Sequence, residues 1–127
     1  MRKDEVQASI ERYIDAYNNF DIDRMTAELH SAIVFRNISD GEINLTTNGI
    51  EEFRAQAEKA AAFFNERKQT IAGLEIHDQK AEVSIKYVAI LATDLPNGMK
   101  AGDKLDMEGR SNFLFKEGLI VFLDDVS

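Results

Sequence analysis

The stretch that decides the fold is Val83-Ser84-Ile85-Lys86-Tyr87-Val88-Ala89-Ile90-Leu91. It is β-rich and alternates with a period of two: Ser84 and Lys86 fall on one face, Ile85 and Tyr87 on the other. From Val88 onward the polar face turns apolar, with Val88 and Ile90. A strand that is apolar on both faces is covered on both, one by helices and the other by a second copy of the chain. Working outward, this strand spans Lys80–Asp94. The turn Asp78-Gln79 ties it to a strand over Arg67–His77, and a loop holding Pro96-Asn97-Gly98 ties it to one over Asp103–Lys116. Glu117-Gly118 then turns into a last strand, Leu119–Val126. Strands joined this way form an antiparallel meander.

The N-terminal half reads differently. Val6, Ile10, Tyr13, Ile14 and Tyr17 recur at helical spacing. Asp4 with Gln7 has the shape of a capping box, and Asn18-Asn19 marks the stop. Asp21 caps a short second helix carrying Met25 and Leu29 inward. Ser31–Ile38 and Glu42–Thr46 form a hairpin around Asp40-Gly41. Asn48, with Glu51 in the reciprocal position, opens a third helix whose apolar face holds Ile50, Phe53, Ala57 and Phe64. The order is ααββαββββ. Segregated helices and strands make this an α+β chain, and its 127 residues fit one domain over 1–127.

Composition bounds the partners. The net charge is −8 and hydrophobic residues make up 44%. An acidic surface repels phosphate backbones and anionic lipid, so neither nucleic acid nor membrane is an expected partner. No run approaches the length of a membrane span. There is no cysteine, which fits a cytoplasmic location and leaves no thiolate chemistry. His30 and His77 are not spaced as metal ligands. Neither a metal nor a cofactor is expected.

The chain resembles the nuclear transport factor 2-like superfamily, in particular its SnoaL-like and ketosteroid isomerase-like members. The resemblance is carried by Tyr13-Ile14-Asp15-Ala16-Tyr17 with Asp21-Ile22-Asp23, Ala32-Ile33-Val34-Phe35, Asn48-Gly49-Ile50-Glu51-Glu52-Phe53, Gly109-Arg110-Ser111, and Phe115-Lys116-Glu117-Gly118-Leu119-Ile120. It implies a cone: a strongly curved antiparallel sheet wrapped around three helices, open at one end into an apolar pocket. It also implies a homodimer packed through the outer sheet face, in keeping with Val88 and Ile90.

Carried over residue by residue, the isomerase tyrosine that donates to the reacting oxygen falls on Tyr13. The general-base aspartate falls on Asn37, and the neutral oxyanion-hole acid falls on Ser111. An amide and a hydroxyl do not perform that chemistry, so steroid-type isomerisation is not expected here. SnoaL-like cyclases place an acid/base aspartate near the end of the last strand, where this chain has Leu123-Asp124-Asp125-Val126. Alternation from an inward Leu123 turns Asp125 in and Asp124 out. Asp125 is therefore the catalytic candidate. Tyr13, Tyr17, Asn37, Phe53, Gln56, Tyr87, Ser111 and Phe113 are the ligand-contact candidates.

The expected ligand is a small hydrophobic molecule, cyclic in the enzymatic reading, with a polar oxygen. Three readings stay open: a ligand binder, a cofactor-free acid/base isomerase, cyclase or hydrolase, and a dimerisation module. A cone plugged by Phe35, Phe53, Phe113 and Leu91 would favour the last.

Overall fold

The computed structural model describes residues 1–127. It contains α1 (Lys3–Asn18), α2 (Ile22–Ala27), β1 (Leu29–Ser39), β2 (Glu42–Asn48), α3 (Ile50–Ala61), β3 (Phe64–His77), β4 (Lys80–Leu91), β5 (Lys104–Lys116) and β6 (Leu119–Val126). The expected order ααββαββββ is the one found. The strands make one sheet in the spatial order β2-β1-β6-β5-β4-β3.

Helix α3 carries the chain from the β2 edge to the opposite edge, where β3 begins a meander that returns strand by strand to β1. After those reversals β6 arrives running the same way as β1. Their pairing is parallel, while every other neighbouring pair is antiparallel. The sheet curves because bulges interrupt β2 at Asn44, β3 at Ala72 and β6 at Val121, and each bulge bends its strand and adds twist.

Local signals account for most element ends. Asp21 Oδ1 accepts from the Arg24 amide at 3.1 Å and caps α2. The turns at Asp40-Gly41, Asp78-Gln79 and Glu117-Gly118 all open on a residue with positive φ. Two caps fall elsewhere than expected. α1 starts at Lys3, so Glu5, and not Gln7, reaches back, accepting from the Arg2 amide at 2.8 Å. Asn48 stays in β2 opposite Val34. Gly49, at φ +88°, makes the corner, and the Asn48 amide donates to Glu52, not to Glu51. Leu29, expected on the short helix, begins β1.

The core lies between the concave sheet face and the helices. Val6, Ile10, Tyr13 and Ile14 of α1 pack with Ile33, Val83, Ile85, Phe113 and Leu123 of the strands. Burying a side chain such as Ile10 stabilises the fold by about 1.5–3 kcal/mol. Asn18 locks the end of α1 to the sheet. Its amide donates to the Gln69 carbonyl at 3.0 Å and accepts from the Gln69 amide at 2.7 Å. That clip fixes where Tyr13 and Tyr17 stand over the strands.

Candidate active site

Two cavities open on the concave side and share the wall formed by Tyr17, Asn37 and Asp125. The larger, about 330 Å³, is lined by 14 residues of which 10 are hydrophobic. Phe35 of β1 and Phe53 of α3 meet edge to face across its wall, their centroids 5.7 Å apart. The smaller, about 140 Å³, is mostly polar and opens beside β5 and the end of β6. The interior is therefore open at this end. Of the side chains that could plug it, Phe35 and Phe53 form wall, while Leu91 and Phe113 are buried in the packing.

Pairing register places the central acid. β6 sets Asp125 beside Asn37 of β1 on one flank and beside Ser111 of β5 on the other. All three point to the concave face. The Ser111 hydroxyl donates to Asp125 Oδ1 at 2.7 Å. Burial pushes the Asp125 carboxyl up to about 6; the hydrogen bond from Ser111 opposes that rise and the charge of Asp124 adds to it. Asp124 faces the other way. It receives both Nε and Nη2 of Arg36, each at 2.7 Å, in a fork that holds it outside. Arg36 in turn lies 4.9 Å over the Phe122 ring.

Gly109 makes this closeness possible. A Cβ there would lie 2.7 Å from the Val126 carbonyl oxygen, and no side chain can occupy that space. Beyond Val126, Ser127 donates its amide to the Ile38 carbonyl at 2.9 Å and so ties the strand end to β1.

The tyrosines bring hydroxyls to the two cavities. Tyr13 is 5% exposed, lines the large chamber, and stands edge-on to Phe113 at 6.1 Å. Burial first, and the charge of Asp125 second, raise its pKa, so the hydroxyl stays protonated and can donate. Tyr17 and Tyr87 share a hydrogen bond of 2.8 Å between their hydroxyls. Burial, then the neighbouring Tyr87, raises Tyr17 as well.

The structure distributes the sequence candidates unevenly. Tyr13, Tyr17, Asn37, Phe53, Gln56 and Asp125 line the large chamber. Tyr87 and Ser111 line only the small cavity, so Ser111 bears on the chamber through Asp125. Phe113 does not line either cavity: its position opposite Leu123 puts it behind Tyr13, where it packs at 3% exposure. Asn37 donates its side-chain amide to Asn44 Oδ1 at 2.9 Å.

One polar residue of the chamber went unforeseen. Arg67, at the start of the expected third strand, is 5% exposed and lines the chamber. Its signal was the alternation Arg67, Gln69, Ile71, which places a charge on the core face. The histidines stay apart from this region. His30 accepts from the Ala32 amide and lies 3.4 Å from Glu117, and no group of three or more His, Asp or Glu side chains is placed to hold a metal ion.

A family model for the SnoaL-like domain matches residues 10–123. The chain belongs to the SnoaL-like family. The match ends two positions before Asp125, and the pairing of β6 with β1 and β5 carries that acid to the site.

Solved structures share this SnoaL-like fold at low identity. TsrD from Streptomyces laurentii superposes with a TM-score of 0.82 at 21% identity, covering 98% of this chain and 89% of that one. A candidate SnoaL-like polyketide cyclase from Jannaschia sp. CCS1 gives 0.81 at 12%, covering 95% and 83%. An epoxide hydrolase of the LEH-like kind from M. tuberculosis gives 0.76 at 15%, covering 96% and 81%. No curated protein matches this SnoaL-like chain by sequence.

Proposed function

We propose that this SnoaL-like domain is a cofactor-free acid/base enzyme acting on a small, hydrophobic, cyclic substrate held in the larger chamber. The observation that carries the reading is Asp125: a carboxyl raised to about 6, set where an apolar chamber meets a polar cavity. A base poised near neutrality both takes and returns a proton efficiently. The neighbouring folds, which include a candidate polyketide cyclase and an epoxide hydrolase, are compatible with such chemistry.

In this reading the Asp125 carboxylate removes a proton from a carbon next to a carbonyl. The C–H electrons shift into an enolate, and Asp125, now the acid, returns the proton to the same or a conjugated carbon. The protonated Tyr13 hydroxyl donates to the oxygen on which charge develops. Gln56 and Asn37 orient that end of the molecule, and Tyr17, Phe53 and Phe35 hold its rings. Ser111 restrains Asp125 in one rotamer.

The test is exchange of the acidic α-hydrogens of 2-tetralone in D2O, followed by NMR. The wild type accelerates exchange and Asp125→Asn does not. Exchange that proceeds equally in the variant would remove Asp125 from the mechanism.

The same reading includes a cytoplasmic homodimer. Val88 and Ile90 do point outward, but Lys68, Asp106, Glu66 and Lys104 stand opposite them on the neighbouring strands. An apolar row lies on the same outer face, with Phe122 of β6 between Val34 of β1 and Leu114 of β5. It borders the Arg36–Asp124 pair and is the better candidate for the contact. No helix is long and apolar enough to cross a membrane.

A further inference from the structure

Arg67 is a buried cation without a counterion. Arg12, Arg24, Arg36 and Arg54 each pair with a carboxylate, whereas Arg67 pairs with none. Its Nε donates to the Tyr17 carbonyl at 2.8 Å. Its guanidinium lies 3.7 Å over the Tyr17 ring and 4.4 Å over that of Phe20. These contacts fix the group in one orientation and offset part of its desolvation. They leave most of its five donors unused, and Nη2 is enclosed with no acceptor at all.

A guanidinium kept at 5% exposure is costly unless charge and hydrogen bonds are met. If the position served packing alone, an apolar side chain would fill it at less cost. Asp125, which lines the same chamber, does not meet the need: it forms no ion pair with Arg67 and takes its hydrogen bond from Ser111. Arg67 lines a surface groove with Phe20, Glu66 and Lys104 as well as the chamber, and of the two the mostly apolar chamber is the one suited to bring in an acceptor from outside the chain.

We propose that the ligand of this chamber carries an anionic oxygen, a carboxylate or an ionised enol, that pairs with the unused edge of Arg67. Its apolar rings lie against Phe35, Phe53 and Phe64. This names a substrate class for the enzymatic reading above and rests on it. The guanidinium is stacked and pre-aligned, so little entropy is lost when the fork closes on a planar anion.

Matched probes decide the matter: 2-naphthoate and the neutral 2-naphthalenemethanol, titrated calorimetrically against the wild type, Arg67→Met and Arg67→Lys. The wild type binds the carboxylate about tenfold more tightly than the alcohol. Arg67→Met binds the alcohol within about twofold of wild type and loses the preference, while Arg67→Lys, a point charge without the fork, keeps a reduced one. The wild-type comparison and the lysine variant stand even if the methionine variant fails to fold. Equal binding of both probes by the wild type, or a preference surviving in Arg67→Met, would overturn the anion site alone. Binding of neither probe would overturn the chamber as a ligand site and this inference with it.

Discussion

Ser111 and Asp125 face each other across β5 and β6, and the serine hydroxyl donates to the carboxylate at 2.7 Å. The bond favours the charged acid, yet burial outweighs it, and the carboxyl remains raised to about 6. An acid buried against its preference lowers the stability of the native state, as functional groups commonly do.

Asp125→Asn therefore stabilises the protein at neutral pH. In the unfolded chain the acid ionises near pH 4, in the folded chain near 6. Between these values the native state holds more protons, so its stability falls as pH rises, and above about 6 the loss is complete. Asparagine never ionises and can still accept from Ser111. The variant gains about 3 kcal/mol at pH 7.5, and the gain shrinks toward pH 4. Urea melts of both proteins at the two pH values measure it. A gain of equal size at both would point to packing, not ionisation.

Gly109→Ala separates strand geometry from chemistry. The added methyl meets a backbone oxygen, which cannot swing away as a side chain would. The end of β6 shifts, and stability drops by about 1–3 kcal/mol. Asp125 adjoins the displaced Val126, so 2-tetralone exchange falls further than stability alone explains. Denaturant melts with exchange rates on the folded variant test this. A variant that folds and exchanges like wild type would show that Asp125 tolerates the shift.

Much of the fold was legible because its signals are local. Period-two alternation marked β4, helical spacing marked α1, and the Asp-Gly, Asp-Gln and Glu-Gly pairs marked three turns. The parallel β1–β6 pairing was not legible, since it depends on where α3 delivers the chain. Alternation from Leu123 sufficed to turn Asp125 inward and Asp124 outward, because a strand has only two faces. Arg67 escaped notice because a charged residue at a strand start ordinarily faces water; its burial depends on Tyr17 and Phe20, remote in sequence, closing over it. Phe113, expected as a ligand contact, shares the inward face with Ser111 but lies deeper in the packing. The depth at which Tyr13 covers it is set by helix packing, which strand periodicity does not encode.

The outer sheet face makes its own forecast. Wild type sediments as a dimer at micromolar concentration. Phe122→Glu, in the middle of the apolar tract, yields monomers, whereas Val88→Lys with Ile90→Glu, on an already charged part of the sheet, shifts the equilibrium less. Sedimentation equilibrium on the three proteins measures this, and a monomeric wild type would contradict it.

The central claim is that Asp125 is a buried acid poised near neutrality. Carboxyl 13C NMR, titrated from pH 3 to 8 with Asp125→Asn to assign the signal, tests it most directly. One aspartate resonance is expected with a midpoint at about 6, absent from the variant spectrum. If every aspartate instead titrates near the ordinary value of about 4, Asp125 is an ordinary solvated carboxylate and the proposed acid/base role is wrong.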